Sequence, residues 1–82
     1  MILTTAAGIT DSGFSGTNQP IFQNLGPGVL YIGPFSTDLS TKGLKLPVNA
    51  VYEYPAVLVL GDAKVYMQAI DDSCDVRIMN VG

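Results

Sequence analysis

Glycine and proline punctuate the whole chain of 82 residues, so that almost no window long enough for a helix escapes a breaker. There are nine glycines and five prolines. Inside a helix a glycine costs about 1 kcal/mol relative to alanine and a proline about 3. The longest clear stretch, Asp62 to Asn80, is rich in β-branched and aromatic residues, which suit a pleated sheet. These features predict an all-β fold: a single small β-sandwich or barrel of antiparallel strands, with helix confined to a turn.

Strands are expected near Ile2–Thr5, Ile21–Asn24, Val29–Gly33, Val51–Tyr54, Val57–Leu60, Lys64–Ile70 and Asp75–Val81. Residues 1–18 read as an N-terminal arm or a first strand followed by a flexible, glycine-rich loop. Residues 19–82 read as the β-sandwich domain. Leu25-Gly26-Pro27-Gly28 has the composition of a tight reversal, because proline presets φ and glycine accepts positive φ. Phe35 to Gly43 reads as a long loop, and Tyr54-Pro55 as a break or a sheet edge.

The last two strands can be tested for register. Asp71-Asp72-Ser73 is a turn signal. A four-residue loop at Asp71 to Cys74 pairs Ala69 with Val76 and Met67 with Ile78. Val65, Met67, Ala69, Val76 and Ile78 then share one inward face. Tyr66, Gln68, Ile70, Asp75, Arg77 and Met79 take the other. A three-residue loop would mix polar and apolar side chains on both faces, so the first register is preferred.

Composition directs attention to partners. The chain is 48% hydrophobic and only 13% charged, against about 25% charged in ordinary soluble domains. For so short a chain, burial and conformational entropy nearly cancel. A single cysteine forms no disulfide within the chain, and with no histidine there is no zinc-ligand cluster. Burial against other chains is the expected additional source of stability. Met1 to Ile9 lacks the basic start of a secretory signal, and no apolar run reaches the length of a membrane span. The chain is therefore expected to remain in the cytoplasm until it meets its partner.

The residues argue against catalysis. Without histidine, Ser–His and Cys–His nucleophile pairs cannot form. Cys74 lies beside Asp72 and Asp75, whose charges raise its pKa, so it reads as an unreactive thiol. Asp71, Asp72 and Asp75 lack the calcium-loop spacing and read as a solvated acidic turn. Glu53 and Asp62 have no polar support for general acid–base work. The glycines of Gly26-Pro27-Gly28 and Gly33-Pro34 lack the phosphate-loop pattern.

Binding of nucleic acid is equally unpromising. Lys42, Lys45, Lys64 and Arg77 form no basic run in a chain of net charge −3. The aromatics Phe14, Phe22, Phe35, Tyr31, Tyr52, Tyr54 and Tyr66 therefore fit core or interface better than base stacking. No catalytic, cofactor-binding or metal residue is predicted. No nucleic acid, membrane or small-molecule substrate is expected, and no cofactor. The residues assigned to a partner interface are Ile2, Leu3, Ile9, Phe14 and Phe35.

The segment Asn24-Leu25-Gly26-Pro27-Gly28-Val29-Leu30-Tyr31-Ile32-Gly33 follows a pattern N-x-G-x-x-x-x-Y-[IV]-G. With the later Val65-Tyr66-Met67-Gln68-Ala69 and Asp75-Val76-Arg77-Ile78, it resembles small virion proteins of tailed bacteriophages, from about Pro20 to Gly82. The chain departs from that pattern at Leu46-Pro47-Val48-Asn49, where a glycine-rich turn is expected. The resemblance implies a compact β-sandwich acting as a capsid decoration, or cement, protein. Its implied partners are other copies of itself, as a homotrimer, and the major capsid protein, on the outside of the virion. The alternative is a receptor- or carbohydrate-binding module of a tail or fibre. On the decoration reading the N-terminal arm is expected to be free of the sandwich and to pair with a neighbouring chain of the lattice.

Overall fold

A computed structural model of the chain describes residues 1–15, 19–53 and 64–80. The expected strand Val57–Leu60 and the Tyr54-Pro55 break lie outside these residues. The fold is all-β. Among the described residues six strands form one sheet: β1 (Ile2–Leu3), β2 (Thr10–Ser15), β3 (Pro20–Gly33), β4 (Leu44–Leu46), β5 (Val51–Glu53) and β6 (Lys64–Asn80). All of their pairings are antiparallel. Among the described residues helix is limited to a 3₁₀ turn, Thr5–Ala7, and one α-turn, α1 (Leu39–Lys42).

The long strands β3 and β6 pair along their whole length, from Pro20 opposite Asn80 to Gly33 opposite Tyr66. β1 and β2 lie one after the other along the edge of β6 away from β3, and β5 and β4 likewise along the edge of β3 away from β6. Drawn straight at about 3.3 Å per residue, a 14-residue strand would span roughly 46 Å. The molecule is only 31 Å long. Both strands must bend, and their pairing shifts register between Asn24 and Val29. Residues on both sides of this bend join one core, which holds Phe22, Leu30, Ile32, Leu46, Val65, Met67, Ala69, Cys74 and Val76.

Two expected turns are therefore corrected. Leu25-Gly26-Pro27-Gly28 does not reverse the chain; β3 runs through it. The Asn24 side chain is completely buried and bonds to backbone groups within the bend and on β4. Its Oδ1 accepts from the Gly26 N–H at 2.9 Å, and its Nδ2 donates to the carbonyls of Gly28 and Leu46, each at 2.9 Å. Gly26 is at φ +83°, and a Cβ there would meet Val48 Cγ1 at 2.8 Å. Backbone bonds from Asn24 N–H to Ala50 and from Asn49 N–H to Asn24 anchor the bend to the β4–β5 connection.

The second correction concerns Asp71 to Cys74, which is a bulge rather than a hairpin loop. Asp71 takes φ +74°; from Pro27 to Val29 two steps of β3 face four of β6, and from Asn24 to Pro27 three face two, so across the bend β6 carries one residue more than β3. One extra residue reverses which side chains point inward. Val65, Met67 and Ala69 point inward before it, and Cys74 and Val76 after it, with Ile78 half-buried against them. The inward set is as expected, but its partners are not. Met67 lies opposite Ile32, and Ile78 opposite Phe22. A bulge lets β6 keep one continuous partner, whereas a hairpin would leave β3 without its long ladder.

The N-terminal segment also differs from a free arm. Leu3 lies opposite Cys74, and Thr10 opposite Met67. Strand addition, expected on a neighbouring chain, occurs here within the chain because the edge of β6 offers unpaired backbone groups. Leu3, assigned to a partner interface, is 3% exposed and belongs to the core.

A candidate protein-docking surface

Alternation along the strands puts a second set of side chains on the outside of the sheet. Near the start of β3, Ile21 lies opposite both Met79 and Glu53, while Gln23 lies opposite both Arg77 and Val51. On the adjoining edge Ile2 lies opposite Asp75. Directly opposite residues point to the same side, so these eight share one outer face. Ile2, Val51 and Met79 are 63%, 60% and 59% exposed. An open groove of about 410 Å³ is lined by Ile21, Gln23, Val51, Arg77, Ile78 and Met79.

The other half of the sheet is different. Its outer side carries Val29, Tyr31, Tyr66, Gln68 and Ile70, all half-buried, with Lys45 and Asp11 beside the tyrosines. Beyond the far end of β3, Phe35 and Leu44 are 37% and 42% exposed, Leu44 on the same side of the sheet as buried Ile32. They line a smaller depression of about 210 Å³ with Pro34 and Lys42. The Lys42 ammonium stands 5.7 Å from the centre of the Phe35 ring. This cation–π contact keeps the ring presented beside a charge. The two apolar patches share no residue.

Charge on these surfaces is sparse and solvated. Arg77 contacts Asp75 at 3.8 Å, the Met1 amine contacts the same carboxylate at 3.7 Å, and Lys64 contacts Asp11 at 3.4 Å. Exposed pairs of this kind contribute little to stability. Asp11 has its pKa lowered chiefly by the Gly13 N–H, which donates to Oδ1 at 2.9 Å, with Lys64 acting in the same direction against slight desolvation.

The interface residues assigned from sequence are scattered. Ile2 lies on the outer face and Phe35 in the second patch, Ile9 and Phe14 are half-buried, and Leu3 is internal. Val51, Met79 and Leu44 were missed. Val51 and Met79 are exposed because their strands turn them to the outer face, Leu44 although it lies opposite buried Ile32, and an apolar residue in a strand normally signals the core.

The side chains considered for chemistry are not assembled. Cys74 is fully buried in the core rather than standing in a turn. Its pKa is raised first by burial and second by Asp72. Asp71 and Asp72 are exposed, and Asp72 Oδ1 accepts from the Ser73 N–H at 2.7 Å. Among the described residues no three histidine, cysteine or acidic side chains stand together as a metal-ligand set. Asp62 lies outside them. The arrangement is suited to burying apolar surface against another protein. The chain matches no protein-family model, no curated protein and no solved structure.

Proposed function

We propose that the protein is a structural component that docks on a larger protein assembly, acting as a decoration protein on the outside of a tailed-phage head. The observation that carries the docking role is the pair of separate apolar patches, one around Val51 and Met79 and one around Phe35 and Leu44. Isolated surface apolar residues are ordinary, but clustered ones rimmed by polar groups mark interaction sites. Two patches let one small molecule hold two neighbours, which is the requirement of a cement protein. The head, rather than another assembly, is supported by the resemblance carried by Asn24 to Gly33 and the two later segments. Its partners on this reading are further copies of itself and the major capsid protein. The role is mechanical, and no reaction is assigned to it.

The test is the ratio of this chain to the major capsid protein in purified virions of the phage that produces it. A cement protein is present in amounts comparable to the capsid subunit. Presence in only a few copies per particle, as for a tail module, or absence from virions, defeats the proposal. Attachment should also persist in about 1 M salt, where the screening length falls to about 3 Å and exposed charge attraction is lost.

A further inference from the structure

The outer face keeps two of its opposite charges apart. Arg77 on β6 and Glu53 on β5 flank β3 from opposite sides, one beside Gln23 and the other beside Ile21. Two strand spacings and one two-residue step place their backbones roughly 12 Å apart. Arg77 reaches Asp75 instead, with its side chain 66% exposed. Glu53 has no ion-pair partner among the described residues. The face therefore presents a cation held by Asp75 on one side of β3 and, on the other, a carboxylate without an ion-pair partner among the described residues, with Ile21 between them.

We propose that this face binds the same face of a second copy of the chain, about a two-fold axis lying along β3. Rotation about that axis lays β6 of one copy over β5 of the other. Arg77 then comes down beside the other copy's Val51 and Glu53, and symmetry repeats the contact. Two ion pairs close diagonally at the margins, while Ile21 and Gln23, near the axis, meet their counterparts and the Met79 chain lies over the other copy's Glu53. The strands of the two sheets remain near alignment, as in sheets stacked about 10 Å apart. The complementarity is contained within a single face, which is the condition for an isologous contact. Such a contact closes as a dimer. A threefold ring would require two different patches to meet.

This inference rests on the reading of the apolar patches as docking surfaces, but it is tested without particles. Sedimentation equilibrium of the purified chain from micromolar to millimolar concentration should show a reversible monomer–dimer equilibrium. Arg77→Glu and Glu53→Arg should each weaken it by about tenfold or more, since each places two like-charge contacts in the interface. Mixing the two variants should restore association as a mixed dimer, visible by native mass spectrometry, because every contact is again between opposite charges. A wild-type chain that stays monomeric or forms a trimer overturns the proposal. So do single variants that associate as well as wild type, or a mixture that yields no mixed dimer. A monomeric result would leave the virion ratio free to support the decoration role, and a dimer would not rescue that role if virions lack the chain.

Discussion

The side-chain amide of Asn24 donates to the carbonyl of Leu46 across 2.9 Å, fastening the bend of β3 to the end of β4, 22 positions further along the chain. The same amide donates to Gly28, and its oxygen accepts from Gly26. One buried side chain thus satisfies three backbone groups where β3 bends. Among the described residues no buried side-chain polar atom lacks a partner.

Replacing Asn24 should therefore be severe. Asn24→Leu keeps the approximate volume but removes three hydrogen bonds to buried backbone groups, each worth about 1–3 kcal/mol when left unsatisfied. A loss of more than about 3 kcal/mol is expected in urea unfolding, a large share of the few to 15 kcal/mol available to a small domain. Asn24→Asp should be as damaging, because it sets a carboxylate against two carbonyls. A variant within about 1 kcal/mol of wild type would show that the bend does not depend on this residue.

Gly28 should tolerate no side chain. A Cβ there would collide with the Asp72 carbonyl, its carbon at 2.6 Å, and would approach the Ser73 oxygen at 3.0 Å. These are backbone atoms of the bulge, which cannot rotate aside. Gly28→Ala is expected to lower thermal stability by several degrees or more, on the scale of about 1–3 kcal/mol for overpacking. An unchanged melting temperature would mean that the bend and the bulge are not in contact.

The N-terminal segment should contribute to folding, contrary to the behaviour of a dispensable arm. Leu3→Ala is expected to cost about 2–5 kcal/mol through the cavity it leaves. Ile2→Ala, at a side chain 63% exposed, should change monomer stability by no more than about 0.5 kcal/mol. Denaturation of the two variants gives the order directly. Equal effects would contradict the placement of Leu3 against Cys74.

Cys74 should make the fold sensitive to alkali. Burial raises its pKa in the folded state, so the native protein holds the thiol proton more tightly than the unfolded chain. Its contribution is fully present below the unfolded value, about 8.5, and is lost as pH rises through the folded value. Urea midpoints should fall from about pH 9 upward, and less so in Cys74→Ala after allowance for its lower starting stability. Native protein should react with a thiol reagent only through opening of the fold. Rapid stoichiometric labelling at neutral pH would contradict burial of the sulfur.

Much of the local pattern was legible in the order of residues. Breaker spacing excluded long helices because each glycine or proline acts within its own turn of chain. Alternation placed Val65, Met67, Ala69 and Val76 inward because successive strand residues point to opposite faces whatever lies beside them. Tertiary structure decided what those strands pair with. A hairpin loop and a bulge at Asp71 to Cys74 produce the same change of alternation, so local sequence is consistent with both; only the pairing of β6 with β3 on both sides of the segment selects the bulge. The residues Leu25 to Gly28 suit a reversal or a bend equally well, and the outcome depends on Asn24 reaching a carbonyl on β4. Ile2 and Leu3 are both apolar neighbours, yet pairing with Asp75 and Cys74 turns one outward and the other into the core. Side-chain alternation is a property of a single strand, whereas pairing is a property of two, and the second strand's position becomes defined only when the chain has folded.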